Sequence, residues 1–119
     1  MLENRLSFLE DEFRKKVSLF LGELLEHRIY VIIIETLRTE DRQRFLLETG
    51  KSQTLKSKHL DGKAIDIVPI IEYNYPRVKS VGWDTTHPVW QEIAKIAKSH
   101  GLKWGGDWRS FKDYVHFEE

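Results

Sequence analysis

The sequence predicts an α+β fold in which a small, mainly antiparallel sheet packs with about three helices. Two observations carry that expectation. Three stretches space their apolar residues as helices do, and short β-branched or alternating apolar runs, bounded by turn residues, are interleaved with them.

The first stretch, residues 3–26, sets Leu6, Leu9, Phe13, Val17, Phe20 and Leu24 three or four apart, on one face of a helix. Residues 29–34 are β-branched and almost continuously apolar, which predicts a strand covered on both faces and central in its sheet. Thr39 can cap a short second helix whose acidic start, Glu40 and Asp41, suits the positive helix end, and Gly50 can stop it. Residues 51–62 are polar and turn-rich. Residues 64–68 then alternate into a strand that Pro69 is expected to end. Residues 70–86 show no clear period and read as a long loop. Pro88 and Gly101 frame a third helix, with Val89, Trp90, Ile93 and Ala97 inward. Residues 102–104 and 114–117 read as short strands joined through Gly105 and Gly106. With no repeat or low-complexity tract, residues 1–119 are expected to form a single domain.

Composition narrows the function. A chain of 119 residues that is 40% hydrophobic can build a core without staples. Lys plus Arg and Asp plus Glu both total 19, so no net field draws the chain to nucleic acid or an anionic membrane. It has no cysteine, which excludes disulfides and thiolate sites and leaves His, Asp and Glu as the only metal donors. Residues 1–13 mix Glu3, Glu10, Asp11 and Glu12 among apolar residues, unlike a signal peptide. The longest apolar run, residues 29–34, falls far short of the roughly 20 residues of a membrane span. A monomer made in the cytoplasm, without membrane insertion or a nucleic-acid partner, is expected.

Residues 57–66, Ser-Lys-His-Leu-Asp-Gly-Lys-Ala-Ile-Asp, place His59 in a loop and Asp66 on a strand, with a turn at Gly62 that can aim both at one spot. Asp66 could simply accept hydrogen bonds from a neighbouring loop. Burying a carboxylate among Ile65, Ile67 and Val68 is nevertheless costly without a cation or several donors. In residues 113–118, Asp-Tyr-Val-His-Phe-Glu, strand alternation turns His116 away from Val115 and Phe117. Alone, such a histidine is more often a hydrogen-bonded structural residue. With His59 and Asp66 it makes two histidines and a carboxylate, a set that leaves a fourth zinc position open for water.

The order Ser57-x-His59-x-x-Gly62-x-Ala64-x-Asp66, followed by Trp-Gly-Gly-Asp-Trp-Arg-Ser-Phe-Lys-Asp-Tyr-Val-His-Phe-Glu at 104–118, resembles the L-alanyl-D-glutamate peptidases of bacteriophage endolysins. Those belong with the D-alanyl-D-alanine carboxypeptidases, in a zinc peptidase group that shares its fold with the signalling domain of hedgehog proteins. The resemblance runs from about Thr36 to Glu118. It implies one Zn2+ per chain, in an open cleft, on His59, Asp66 and His116. It further implies Asp113 as the catalytic carboxylate, Arg38 near the scissile carbonyl and the bacterial peptidoglycan stem peptide as substrate, met after release from the cell. Ser57 and Trp108 are the expected substrate contacts. The family commonly has proline before the last histidine; Val115 stands there, which loosens the approach and removes no ligand.

Two other readings stay open. A D-alanyl-D-alanine carboxypeptidase would need a cation to clamp the terminal carboxylate, and Lys58, Lys63, Arg109 and Lys112 are available. A zinc-holding, wall-binding module would lack catalysis altogether, since hedgehog-type domains show that this fold keeps a metal without known peptidase work. Asp113 could likewise serve only to orient His116. Lytic enzymes often carry a separate wall-binding domain beside the catalytic one. His27 and His100 follow helices one and three, where a cation suits the negative end. His87 reads as a cap or loop residue, and Trp83, Trp90 and Trp104 as core or cleft wall.

Overall fold

The computed structural model describes residues 2–52, 54, 56–74, 77–80 and 84–119, with 72–74 and 77–80 described by backbone alone. Trp83 lies outside the described residues. Helix α1, Asp11–Glu26, buries Phe13, Val17, Phe20 and Leu24, the stripe its spacing predicts. It starts later than the periodicity suggests, because Leu6–Phe8 form a separate 3-10 turn. The cause is Glu10: its backbone leaves the helical region and its carboxylate accepts from the N–H groups of Glu12 and Phe13, capping the helix. The Glu10 N–H donates to the Gly62 carbonyl at 2.9 Å, which docks this break on the loop that carries His59.

Strand β1, Tyr30–Glu35, lies at the edge of the sheet and not at its centre. Its apolar run marks a strand correctly but overstates its cover: Val31 and Ile33 pack against the core, while Tyr30 and Ile32 alternate outward, 47% and 44% exposed. Helix α2, Glu40–Glu48, is capped by the Thr39 hydroxyl, which accepts from the Arg42 N–H, and Gly50 follows its end at φ 77°.

The central strand is β2, Ala64–Asn74, which runs straight through Pro69. The N–H of Ile67 donates to Val115 O on the edge away from β1. Two residues on, the proline nitrogen faces that same edge, before pairing with β3, Arg77–Ser80, begins at Ile70, so no donor is withdrawn from the β1 ladder. The expected loop over 70–86 is therefore partly this ribbon. Backbone pairing specifies it, and with Ile71 exposed there is little apolar alternation to announce it. Helix α3, Val89–Ser99, buries Trp90, Ile93 and Ala97 as expected, with Ala94 and Ile96. Strands β4, Lys103–Trp104, and β5, His116–Glu118, complete an antiparallel sheet ordered β1-β2-β5-β4, with β3 on β2.

Ile65, Ile67 and Phe117 share one core with α1 and α3, and the Phe20 and Phe117 rings meet at 5.5 Å. Phe13, Phe20, Trp90 and Phe117 are completely buried, each such side chain contributing about 1.5–3 kcal/mol. Strand alternation turns Asp66 and His116 to the opposite face, where they are cross-strand neighbours. No described helix is long and apolar enough to cross a membrane.

Candidate metal centre

Asp66 is the hub of that face. Its Oδ1 lies 2.9 Å from His59 Nε2 and 3.1 Å from His116 Nδ1, and one ligand atom from each residue falls within 4.8 Å of the others. All three residues are buried. The far nitrogen of each ring has its own acceptor: His59 Nδ1 meets the Thr36 carbonyl at 2.6 Å, and His116 Nε2 meets Glu118 Oε1 at 2.8 Å. Two imidazoles held from behind, with inner nitrogens converging on a carboxylate, form a donor set that fits a metal ion.

Local sequence builds this arrangement. His59 sits in a 3-10 turn, Lys58–Asp61, capped by Ser57, whose Oγ accepts from the His59 N–H. Gly62 closes the turn at φ 69°, and a Cβ there would stand 2.9 Å from the Glu10 nitrogen, so both conformation and contact require glycine. The Arg38 N–H donates to the His59 carbonyl, tying the start of the α2 loop to the same turn.

A bulge in β1 between Ile33 and Glu35 brings Glu35 opposite Asp66. The buried Glu35 carboxylate receives both Nη2 and Nε of Arg38, at 2.6 and 3.1 Å, and Arg42 Nε at 3.3 Å. Gln43 Oε1 accepts from Arg38 Nη1 at 2.8 Å, while its amide donates to Ser52 Oγ and Thr54 O. Held this way, Arg38 Nη2 stands 3.7 Å from Asp66 Oδ2.

Asp113 reaches the cleft from the loop before β5. Its N–H donates to Gly105 O, and a Cβ on Gly105 would collide with its carbonyl, so the glycine lets this loop close down. Its link to His116 is through backbone, His116 N–H to Asp113 O, while Glu118 holds the ring nitrogen. Burial, and then the charge of Asp66, push the Asp113 carboxyl above its ordinary range. Burial also disfavours ionised Asp66, but hydrogen bonds with His116 and His59 outweigh it and hold that carboxyl well below the usual range. For His116, burial opposes the charged form, yet Asp66 and Glu118 prevail and push it up to about 9.

The cleft above these groups measures about 840 Å³. Arg42, Lys51, Lys56 and Lys58 line it, as do Trp108 and Phe111. Of the four cations the sequence offers as clamps, Lys58 is therefore present, while Lys63, Arg109 and Lys112 are not among its lining residues; Lys112 donates to Gly106 O. Ser57 and Trp108 both line it, the Trp108 ring centred 5.1 Å from that of His116. The remaining histidines serve the helices: His27 and His100 cap the ends of α1 and α3, and His87 Nδ1 accepts from the Val89 N–H. Trp90 and Trp104 belong to the core. Sequence reading passed over Thr36, Glu35, Gln43 and Glu118. Glu118 could have been found, since it shares the strand face of His116; the Thr36 carbonyl leaves no mark in a sequence.

The profile of a family described as D-alanyl-D-alanine carboxypeptidase matches residues 50–119. The chain is similar to the L-alanyl-D-glutamate peptidase of Listeria phage A118, 37% identical over 91 residues, which cover 76% of this chain and 30% of that protein. It is 32% identical over 106 residues to the peptidoglycan L-alanyl-D-glutamate endopeptidase CwlK of Bacillus subtilis, over 76% of this chain and 60% of that one. It thus spans less than two thirds of either relative. The crystal structure of the Serratia marcescens L-Ala D-Glu endopeptidase ChiX superposes with a TM-score of 0.74 at 30% identity, covering 95% of this chain and 81% of that one.

Proposed function

The chain belongs to the D-alanyl-D-alanine carboxypeptidase family, and from that premise we propose that it is a zinc endopeptidase hydrolysing the L-alanyl-D-glutamate bond of peptidoglycan stem peptides. The observation that carries the proposal is the convergence of His59, Asp66 and His116 beside Arg38 and Asp113 in one open cleft. The activities for which the phage, Bacillus and Serratia relatives are named favour this bond over a terminal D-alanine.

In this reading His59 Nε2, an Asp66 oxygen and His116 Nδ1 hold the metal. When bound, zinc polarises the peptide carbonyl and lowers the pKa of a water toward about 7. Asp113, whose carboxyl burial and the charge of Asp66 push above its ordinary range, takes the proton of the attacking water. The peptide C–N bond then breaks, and Asp113 returns that proton to the departing amine of the D-glutamyl residue. Arg38, fixed by Glu35 and Gln43, offers its charge to the oxyanion that develops on the carbonyl. Trp108 and Ser57 border the peptide, and the cations of the cleft suit a stem peptide rich in carboxylates. Residues 1–119 act as one catalytic domain, monomeric, on the wall.

Mass spectrometry of purified peptidoglycan after digestion tests this. New D-glutamyl amino termini, abolished by a chelator and restored by zinc, are expected. Release of D-alanine alone would favour the carboxypeptidase reading, and intact peptidoglycan beside a zinc-loaded protein would favour the wall-binding one.

A further inference from the structure

The two ring anchors differ in kind. The Thr36 carbonyl can only accept, so His59 donates through Nδ1 and presents Nε2 to the cluster. His116 is mounted the other way round, with Nδ1 toward Asp66 Oδ1 and Nε2 toward the Glu118 carboxylate. We propose that Glu118 is a positioning residue for the metal: its carboxylate receives the His116 Nε2 proton, fixing the tautomer in which Nδ1 is free to ligate, and strengthens that ligand. The inference rests on the metal-site reading above.

Three features of the fold place Glu118 for this work. It lies two residues after His116 on the same strand, so both side chains leave the same face of β5. The residue paired opposite it on β2 is Ala64, fully buried and small, which leaves room for a glutamate to fold back along the strand to the ring. The Glu118 side chain is only 17% exposed, so water competes weakly for the bond. The Trp108 ring also neighbours the imidazole, its centroid 5.1 Å away and its plane tilted by 49°. Glu118 meets the ring through a carboxylate oxygen, an acceptor, so Nε2 is the donor of this bond. An anionic acceptor also polarises the imidazole more than a carbonyl does, making His116 the more strongly donating histidine of the pair.

The test compares zinc binding by the full chain and its Glu118→Ala, Glu118→Gln and Glu118→Asp variants, by competition with a chromophoric chelator, alongside nitrogen NMR of the imidazoles. Glu118→Ala is expected to weaken zinc about ten- to a hundredfold. Glu118→Gln, whose carbonyl can still accept, should recover part of that loss, and Glu118→Asp, too short to reach, should not. In the zinc-loaded wild type His116 should carry its proton on Nε2 and the metal on Nδ1. Thermal unfolding without metal separates a lost anchor from a lost fold: the Ala variant should unfold cooperatively, within a few degrees of the wild type. Zinc binding by Glu118→Ala within twofold of wild type, or ligation of His116 through Nε2, would overturn the inference while leaving the metal site standing. A wild-type chain that binds no zinc would overturn both.

Discussion

Glu35→Ala removes a side chain that touches no substrate in this account, yet it should damage both stability and metal binding. The Glu35 side chain is 4% exposed and bonds twice to the Arg38 guanidinium, itself 9% exposed. Without it, Arg38 keeps Gln43 at 2.8 Å and has Asp66 Oδ2 at 3.7 Å. Breaking one side of a buried pair costs about 3–5 kcal/mol, because the other charge is left uncompensated. Arg38 borders the cleft and can recruit water there, so the lower end, about 3 kcal/mol, applies. For 119 residues the unfolding entropy near the midpoint is about 0.25 kcal/mol/K, so that loss corresponds to a fall of about 12 °C in Tm. The freed guanidinium should also turn onto Asp66 and compete with zinc for its oxygen. Thermal unfolding in excess chelator measures the first effect and chelator competition the second. Arg38→Met in the Glu35→Ala background should cost much less than the two changes added, since it removes the stranded charge. A fall in Tm below about 3 °C, or strict additivity, would refute the reasoning.

Other consequences follow from the same geometry. His59→Ala should abolish zinc binding at stoichiometric metal, and full zinc occupancy in that variant would contradict the ligand assignment. Gly62→Ala forces a side chain into φ 69° and against the Glu10 nitrogen at 2.9 Å; a cost of about 1–3 kcal/mol is expected from denaturant unfolding, and an unchanged midpoint would count against it. His116, raised from 6.5 to about 9, stabilises the metal-free fold through its protonated form. That stabilisation is complete below its unfolded pKa of about 6.5 and fades as pH rises through about 9. Bound zinc must displace the proton and should remove this trend. Metal-free Tm that is flat between about pH 6 and 10 would show that the trend is absent.

Much of this was legible in the sequence where one residue type answers one physical demand. Phe13, Val17, Phe20 and Leu24 announced α1 because a helix facing a core needs apolar residues at that step. Thr39 and Gly50 marked the ends of α2 through capping and a positive φ. Asp66 was suggested by the cost of burying a carboxylate, His59 and His116 by their combination with it, and the ligand set by the family resemblance; the fold brings the three together. Errors arose where pairing outweighed composition. Residues 29–34 are apolar enough for a central strand, but centrality depends on which strands pair, and β2 takes that place. Pro69 is a breaker only where its nitrogen meets a ladder, and here its nitrogen faces away from the β1 ladder. Glu10 looked like one polar residue in a helical run, and only its cap geometry shows why the helix begins there. The Glu35 and Gln43 brace around Arg38 needed a bulge in β1 and the return of Ser52 and Thr54 to the Gln43 amide, neither of which leaves a local signature.

The division of labour within the site is the central claim, and Asp113→Asn tests it most directly. In one purified sample of this variant, zinc content and peptidoglycan cleavage are measured side by side with the wild type. Because Asp113 meets His116 through backbone and Glu118 holds the ring, the variant is predicted to keep one zinc per chain. Its cleavage rate should fall about a hundred- to ten-thousandfold, as for the loss of a positioned proton acceptor. Cleavage at the wild-type rate, or loss of zinc along with activity, would contradict the account.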